Sequence, residues 1–539
     1  MTSISDFQKK RDAIRNVVIV YPFTHNYPYQ ALPPIAAEYL QAGIAETGRN
    51  AVLLDMRFED DIQEHINSAD LVCLYGYFED CSMFGKWHIH VIDEVMDMIP
   101  AETPVIAGGT GFTDPEEALK TYPQVDIIIR GNPEIPVMEL FSETDLENVK
   151  NLVYRNGEQI VHNETTIHSL SETIFPRRDL RNPKYNYHLM GIKIDLVRAA
   201  IGCNYRCRFC FQYGKDFNGK FVRWKSRTAR SLFNEINQIE APFIGWVDDD
   251  MTTDMKMLED LADLLIENKT RKLYVGTGRI DHVLKSNVKA LRKLERSGFL
   301  ALSFGIESLN KETLRFYGKG LTLENVDKGM RMMRKTNIGL LCSFIFGSPG
   351  ETEKDMMDML RFGQKWNVDS IATNRFRVQE GSKMYNLIYD PETGMFRPGM
   401  ERIEGKELAR IKFKVKFGQR RPLRVLMSIL KLYRHRGMFM DPLYALYSII
   451  ETVIKTTWLE RTRVLPFILK IKKILLQFTV IRWFNKIIAL ILTPPILALN
   501  WFFELIDRQI GISTTVLPRI FLFFKEGLYK KQSAQLQMR

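Results

Sequence analysis

The stretch IGCNYRCRFC, residues 201–210, spaces three cysteines as C-x3-C-x2-C directly after an apolar strand at Lys193–Arg198. Three thiolates on so short a loop can hold three irons of a cubane cluster, which leaves the fourth iron open to a small molecule. Structural zinc favours four protein ligands in paired C-x2-C units, and no fourth Cys or His lies nearby in the sequence. The spacing predicts that Cys203, Cys207 and Cys210 bind a [4Fe–4S] cluster. A zinc loop or three incidental cysteines are the alternatives.

The residues on both sides of this loop alternate short apolar strands with helical stretches. Six such units between Lys193 and Tyr385 predict a partial (β/α)6 barrel of the TIM type. The predicted strands are Lys193–Arg198, Phe243–Val247, Leu273–Gly276, Ala301–Gly305, Gly339–Phe346 and Ser370–Phe376.

Residues 17–140 show the same alternation of strand and helix. Continuous apolar strands separated by helices indicate a parallel, Rossmann-like sheet covered on both faces, which binds ligands at the carboxyl ends of its strands. Glycines at those ends allow the backbone to approach a ligand closely. A hairpin is predicted further on, with its turn at Asn156-Gly157. The predicted strands are 17–20, 51–55, 71–76, 104–109 and 126–131, with a helix at 35–46 and ligand-facing loops at Pro22–Pro34, Gly76–Phe84, Gly108–Phe112 and Gly131–Glu134.

Residues 193–385, with the cysteine motif, resemble the radical S-adenosylmethionine superfamily. In that family the open iron binds the amino and carboxylate groups of S-adenosylmethionine. An electron from the cluster then cleaves it to methionine and a 5′-deoxyadenosyl radical, which abstracts hydrogen. The resemblance implies that Phe209 stacks near the adenine, and core packing is the alternative for this ring.

Three later motifs fit the same family in order: WVDDD at 246–250, SFGIES at 303–308 and FIFGSPGET at 344–352. Acidic groups beside a cationic sulfonium are electrostatically reasonable, although Asp250 and Thr252 could instead cap a helix at Asp254–Glu267. The loop RVQEGSKMY at 377–385 departs from the family, because Glu380 replaces a proline. The residues that the resemblance assigns to S-adenosylmethionine are Phe209, Asp248, Asp249, Glu307, Ser308, Gly347 and Pro349.

Residues 17–140 resemble the cobalamin-binding domain that precedes the barrel in one subgroup of this superfamily. The matching pieces are LPP at 32–34, VIAGG at 105–109 and IRGNPE at 129–134. The family's Asp-x-His-x-x-Gly signature is absent, since His25 lacks both the Asp and the Gly. A Rossmann-like lid without cofactor is the alternative. The residues that the resemblance assigns to cobalamin are Pro33, Gly76, Gly108, Gly109 and Gly131.

The composition of the 539 residues, 45% hydrophobic and 26% charged, indicates a globular chain with several domains. Six cysteines are too few for a disulfide scaffold and favour metal binding in a reducing compartment. A methylthiotransferase would need a second three-cysteine cluster, and only Cys73 and Cys81 lie in the N-terminal region. The polar N-terminus has no apolar core of a secretory signal, which predicts a cytoplasmic location.

The net charge of +11 comes from the C-terminal segment, because residues 411–539 hold about 23 Lys and Arg against about 6 Asp and Glu. Basic residues alternate with aliphatic ones over 420–436 and 470–486, as in amphipathic helices on an anionic membrane. Ile487–Phe503 is nearly uncharged for about 17 residues, but Pro494-Pro495 interrupts it. This pattern predicts monotopic or re-entrant insertion. A helical cap on the barrel is one alternative. Nucleic-acid binding is a weaker one, because the apolar residues are mostly aliphatic.

The sequence predicts four regions: a cobalamin-binding-like domain (1–145), a connector (146–190), a radical barrel (191–390) and a basic helical region (391–539).

The predicted activity is radical methylation or cyclisation of an unactivated carbon in a hydrophobic, lipid- or tetrapyrrole-like substrate at the inner membrane face. Hopanoid methylases and the anaerobic magnesium-protoporphyrin ester cyclase share this domain order. Modification of RNA or peptide held by the basic region is the alternative. A non-catalytic binding module is disfavoured by the complete motif set. The expected partners are the substrate, a flavodoxin or ferredoxin, and an anionic membrane; nucleic acid is not expected.

Overall fold

The computed structural model describes residues 4–22, 30–59, 61–76, 89–109, 112, 114–142, 145–166, 168–189, 192–210, 223–366, 368–378, 384–390, 392–393 and 395–419. Several sequence predictions fall outside these residues and stay predictions. They concern His25, Cys81, Glu380, and the basic segment from Arg420 onward with its Ile487–Phe503 stretch.

The described residues form two compact units. The first combines the chain up to Leu189 with Lys193–Asn204 and with the described residues that end at Ala241. The second combines Tyr205–Cys210 with the described residues from Pro242 onward. The cysteine loop therefore passes from the first unit into the second along the chain.

A seven-stranded sheet with the order β3-β1-β4-β5-β6-β7-β8 forms the centre of the first unit. Its first five strands in this order pair in parallel, and the hairpin β7–β8 joins the β6 edge antiparallel. The strands of this unit are β1 (Asn16–Tyr21), β2 (Gln30–Ala31), β3 (Asn50–Asp55), β4 (Leu71–Gly76), β5 (Val105–Gly109), β6 (Ile127–Ile129), β7 (Leu152–Asn156), β8 (Gln159–His162), β9 (His188–Leu189), β10 (Ile192–Val197), β11 (Ala200–Ile201) and β12 (Lys225–Ser226). The helices are α1 (Ile4–Arg11), α2 (Ile35–Glu46), α3 (Gln63–Asn67), α4 (Ile89–Met98), α5 (Pro115–Thr121), α6 (Glu134–Leu140) and α7 (Ala229–Gln238).

Both faces of this sheet are covered, as the continuous apolar strands predict. Along β1, Val17 and Ile19 pack into one core cluster, whereas Val18 and Val20 pack into the other. Side chains of a strand alternate between faces, so the two clusters lie on opposite sides of the sheet.

Five parallel strands pair in chain order in the second unit, from β13 to β17. Helices follow each strand, and local signals fix their ends: Gly298 and Gly318 end two helices in the left-handed conformation, while Thr352 and Asp355 form a capping box. The elements are β13 (Phe243–Trp246), α8 (Met255–Glu267), β14 (Leu273–Gly278), α9 (Val288–Ser297), β15 (Phe299–Glu307), α10 (Lys311–Tyr317), α11 (Leu323–Met333), β16 (Gly339–Phe346), α12 (Glu353–Lys365), β17 (Ser370–Arg375), α13 (Tyr385–Ile388) and α14 (Gly405–Gln419).

The predicted fold class is confirmed, with a Rossmann-like parallel sheet followed by β/α units that form no closed barrel among the described residues. The hairpin predicted within the connector is an edge of the first sheet. The four predicted domain boundaries stay predictions. None of the helices in the described part of the chain is long and apolar enough to span a bilayer.

Candidate active site

The cysteine loop turns tightly at its second cysteine. The amide of Cys210 donates to the Cys207 carbonyl at 3.1 Å. The amide of Arg208 donates to the carbonyl of Tyr317, the last residue of α10, at 2.8 Å. Cys207 is buried, whereas Cys203 and Cys210 are partly exposed. The loop is thus anchored on the helix that follows β15.

Charged side chains surround Cys207 within the second unit. Burial raises the pKa of its thiol, and so does the nearby carboxylate of Glu307. The cationic groups of Lys319 and Arg279 act in the opposite direction. Since iron binds the thiolate, these two cations favour the ligating form of the sulfur.

Three thiolates on one short loop are the donor set that a cubane cluster requires. No three His, Cys, Asp or Glu side chains among the described residues are placed to hold one metal ion. A cubane cluster holds its thiolates further apart than one ion does, and its ligands are the three sulfurs of such a loop. The ligand roles of Cys203, Cys207 and Cys210 stay predictions, and the zinc alternative stays open.

Phe209 packs against an aromatic group on the inside of the second unit. Its ring centroid lies 5.0 Å from that of Tyr317, in an edge-on arrangement. Tyr317 is fully buried, stacks on Phe376 at 6.1 Å and shares a hydrogen bond with the Ser348 hydroxyl. Burial raises the pKa of this phenol well above its usual range. Phe209 is partly exposed, which leaves ring surface for the predicted adenine contact.

Glu307 forms a buried ion pair with Lys319 at 3.0 Å. Glu307 has a left-handed backbone (φ 69°), which a non-glycine residue adopts only at a cost of about 1–3 kcal/mol. Gly305 makes room for this carboxylate, since a Cβ there would lie 2.4 Å from Glu307 Oε1. Ser308 is buried and its hydroxyl accepts from the Asn310 amide at 3.1 Å, so its visible contact belongs to a turn.

Lys319 is a site residue that the sequence reasoning missed. The stretch YGKG reads as an exposed basic turn, yet Lys319 is 7% exposed. Its neighbours Gly318 and Gly320 both adopt left-handed backbone, at φ 63° and 67°. Two glycines flanking one lysine were the available signal, because such a turn can direct a long side chain inward.

The Gly-Ser-Pro-Gly turn after β16 is held by a carboxylate. Glu351 Oε2 accepts from the amides of Gly347 at 2.8 Å and Ser348 at 3.2 Å. Gly347 has left-handed backbone, and Pro349 is partly exposed. Burial raises the pKa of Glu351 to about 7. The turn predicted to meet adenine is therefore shaped by a residue that the sequence reasoning gave no role.

The three aspartates after β13 face different environments. Asp248 and Asp250 are buried, whereas Asp249 is exposed. The helix-cap alternative for Asp250 and Thr252 is wrong for α8, because Asp254 caps that helix by accepting from two amides of its first turn. Asp250 instead accepts from the Thr252 amide and hydroxyl at 3.1 and 2.7 Å. Contacts of Asp248 and Asp249 with S-adenosylmethionine stay predictions.

The glycines assigned to cobalamin lie together at the carboxyl ends of the central strands of the first sheet. Gly76 of β4 pairs with Gly109 of β5, and Tyr75 pairs with Gly108. The Tyr75 ring lies over Gly108, where a Cβ would be 2.3 Å from Cε2. The Tyr75 hydroxyl donates to the Gly131 carbonyl at 2.7 Å. Tyr75 therefore ties three strand ends together, a role that no local sequence signal predicted.

This edge suits a large flat ligand. Gly109 and Gly131 both have left-handed backbone, which presents main-chain groups where side chains are absent. Pro33 is buried and lies two residues before α2 begins at Ile35. The strand ends fit the approach of a cofactor, and much of the loops that follow them lies outside the described residues.

Residues 198–363 match the family profile of the Radical SAM superfamily. The match spans the cysteine loop and β13 to β16. This part of the chain is a radical S-adenosylmethionine domain, and the enzyme class that the family resemblance implies is confirmed.

The chain is similar to an uncharacterized methyltransferase of Pyrococcus horikoshii, 24% identical over 62% of this chain and 74% of that protein. It is also similar to the anaerobic magnesium-protoporphyrin IX monomethyl ester cyclase of Cereibacter sphaeroides, 23% identical over 66% of this chain and 60% of the cyclase. A solved structure of similar fold is the radical S-adenosylmethionine methyltransferase TsrM of Kitasatospora setae with cobalamin and a [4Fe–4S] cluster bound (TM-score 0.54, 16% identity, 67% of this chain and 75% of that one). The resemblance to the subgroup with a cobalamin-binding-like domain is confirmed.

Proposed function

We propose that this chain is a cobalamin-dependent radical S-adenosylmethionine enzyme that methylates or cyclises an unactivated carbon of a hydrophobic substrate at a membrane surface. The observation that carries its radical chemistry is the buried Glu307–Lys319 pair beside Cys207 and Phe209. This pair offers one anion and one cation to an amino-acid zwitterion. A thiolate loop next to such a pair is suited to hold S-adenosylmethionine at a metal cluster.

When bound, the [4Fe–4S] cluster supplies the electron that cleaves S-adenosylmethionine, and cobalamin supplies a carrier for methyl transfer or electron transfer. The protein's own residues bind and orient. Cys203, Cys207 and Cys210 ligate iron, and the Phe209 ring forms an apolar wall for the adenine. Glu351 fixes the turn at Gly347 so that its main chain stays in place. A flavodoxin or ferredoxin is the proposed electron donor.

Cobalamin is proposed for the carboxyl edge of the first sheet, at Gly76, Gly108, Gly109 and Gly131. The left-handed backbone of Gly109 and Gly131 supports it, as does the similar fold of TsrM with cobalamin bound. Methylation and cyclisation both remain in the proposal, because relatives of each kind align with similar identity.

The membrane surface is proposed from sequence alone, since residues 420–539 lie outside the described residues. Their basic and aliphatic pattern favours an anionic leaflet. The last helix described, Gly405–Gln419, directly precedes this segment and contains four lysines. A lipid- or tetrapyrrole-like substrate is proposed together with this location.

Anaerobic reconstitution of the full-length protein tests the radical chemistry. With S-adenosylmethionine and dithionite it should release 5′-deoxyadenosine and contain four irons per chain, as a [4Fe–4S] cluster requires. Cys207→Ala should lose both properties. Cys342→Ala is the matched control, because Cys342 is a fully buried core thiol of β16 and should keep the cluster. An intact cluster without 5′-deoxyadenosine would contradict the proposal.

Two further measurements test the remaining parts. Cobalamin extracted from protein purified from cobalamin-supplied cells should approach one per chain. More of the full-length protein should float with anionic vesicles than with neutral vesicles. Added RNA should not displace the protein from the anionic vesicles. Tight RNA binding without vesicle binding would favour modification of RNA instead.

A further inference from the structure

Tyr205 stands between two of the predicted cluster ligands, Cys203 and Cys207, and is partly buried. Its hydroxyl lies 2.6 Å from Nε2 of His282, and the two rings are 5.4 Å apart. The cysteine loop and His282 are separated by 77 positions in sequence. The family profile matches this region, but neither the cysteine spacing nor the later motifs assign a role to Tyr205 or His282.

The ring nitrogen of His282 that faces away from Tyr205 lies beside the carboxylate of Asp250. His282 is 1% exposed, and its Nδ1 lies 3.1 Å from Oδ2 of Asp250, within ion-pair distance although not aligned as a hydrogen bond. Asp250 also accepts from Thr252 and from the Thr253 hydroxyl at 3.0 Å. These donors and His282 lower the pKa of Asp250 against the effect of burial, so the carboxylate is charged.

The charge of Asp250 decides which way the hydrogen bond to Tyr205 runs. A buried carboxylate beside Nδ1 favours the tautomer with the proton on Nδ1. Nε2 of His282 is then an acceptor, and the Tyr205 hydroxyl donates to it. The result is a chain of contacts from Asp250 through His282 to Tyr205.

Arg279 makes a second contact with Tyr205, through the ring. Its guanidinium carbon lies 3.5 Å from the Tyr205 ring centroid, a cation–π contact. Asp281 holds the guanidinium through two hydrogen bonds, at 3.1 and 3.0 Å, and the Lys319 carbonyl accepts a third at 3.1 Å. The Arg279 amide donates to the Thr252 hydroxyl at 2.9 Å, which joins both halves of the contact chain.

We infer that His282, backed by Asp250, is a positioning residue for the iron–sulfur loop: it fixes the Tyr205 hydroxyl while Arg279 fixes the ring, and so holds the segment between the first two cluster ligands. The inference rests on the proposed function, because it needs a cluster on that loop. Residues that orient metal ligands typically change metal affinity or activity by about 10–100-fold when they are mutated.

Three full-length variants separate this role from ordinary packing. Tyr205→Phe removes one oxygen and keeps the ring under Arg279. His282→Leu removes the acceptor, whereas His282→Gln keeps a polar group near the Nε2 position. Tyr122→Phe is the matched control, since its hydroxyl bonds to exposed Asp93 in the first unit.

The measurements are the rate of iron release to a chelator and the EPR spectrum of the reduced cluster with S-adenosylmethionine. Tyr205→Phe and His282→Leu should release iron about tenfold faster than wild type and change the g values, while His282→Gln and Tyr122→Phe stay near wild type. The double variant Tyr205→Phe/His282→Leu should be no faster than His282→Leu, because both changes break one contact.

Wild-type iron release and an unchanged spectrum in Tyr205→Phe would overturn the inference. If His282→Leu does not fold, this variant with its single missing oxygen still decides the matter. Failure of the proposed function has a different signature, namely that wild type itself forms no cluster or releases no 5′-deoxyadenosine.

Discussion

The carboxylate of Glu351 accepts a hydrogen bond of 2.8 Å from the amide of Gly347, four residues earlier in the chain. The other oxygen, Oε1, is buried without a hydrogen-bond partner among the described residues. A charged carboxylate in that position is only half satisfied, which is why burial raises the pKa of Glu351 to about 7. The turn that follows β16 is thereby sensitive to pH near neutrality.

Glu351→Gln should remove this sensitivity. Because the folded-state pKa is about 7 and the ordinary value is 4.5, the protonated carboxyl stabilises the fold fully below pH 4.5, and this stabilisation is lost as the pH rises through 7. The free energy of unfolding of wild type, relative to Glu351→Gln, should fall by up to about 3 kcal/mol between pH 4.5 and 8. Denaturant titration of the metal-free proteins at several pH values measures it. A constant difference across this range would count against the pKa.

Lys319→Met should destabilise the second unit strongly, because it leaves the buried Glu307 carboxylate without its cation. The expected loss is about 3–5 kcal/mol in the free energy of unfolding. The double variant Lys319→Met/Glu307→Gln should recover most of this loss yet fail to bind S-adenosylmethionine. Denaturant unfolding and equilibrium binding of S-adenosylmethionine measure the two effects. A single variant as stable as the double one would show that the pair is not buried as described.

Arg181→Met should destabilise the first unit by about 3–5 kcal/mol, because it leaves the buried Glu38 carboxylate without this cation and removes one of the two arginines that pair with buried Asp195. Arg181 binds Glu38 at 2.6 and 2.8 Å and Asp195 at 2.6 and 3.0 Å. Arg181→Lys should recover little, since lysine cannot form both two-point contacts. The matched control is Arg177→Lys, whose exposed contact with Asp179 should change stability by less than about 1 kcal/mol. Equal effects at Arg181 and Arg177 would refute the buried network.

Gly108→Ala should disturb the edge proposed for cobalamin. The added methyl group would lie 2.3 Å from the Tyr75 ring, which must move and release the Gly131 carbonyl. The variant should lose stability by about 1–3 kcal/mol and retain less cobalamin. Gly108→Ala/Tyr75→Leu should regain stability by removing the clash. Cobalamin content and denaturant unfolding measure both effects.

Elements built from continuous apolar runs could be predicted from the sequence. The helix Ile35–Glu46 and the strand Leu71–Gly76 have the predicted bounds, because proline, polar or glycine residues mark their ends. The strand predicted at 126–131 is shorter, since only Ile127–Ile129 pairs with neighbours. Periodicity determines where a strand lies more reliably than where its pairing stops.

The candidate site was predicted in its local motifs and missed in its long-range contacts. Cys207 and Glu307 lie in recognisable stretches, and the family profile covers both. Lys319 and His282 lie in no recognisable motif. A buried lysine or histidine is distinguished from an exposed one only by partners that are distant in sequence. Asp254 rather than Asp250 caps α8 for a local reason, since Asp250 caps the short 3-10 helix Met251–Thr253 that precedes it.

The buried arginines of the first unit limit how this protein can be rearranged in evolution or in the laboratory. Arg178 and Arg181 lie in the predicted connector, residues 146–190. Their partner Asp195 lies in β10, before the cysteine loop, and Glu235, the partner of Arg178, lies in α7, after it. A gene fusion or truncation that cut near residue 190 would separate charges that fold together. The N-terminal region is therefore not a domain that folds on its own without these partners. A segment exchanged between relatives has to extend to the end of α7 to keep these ion pairs together.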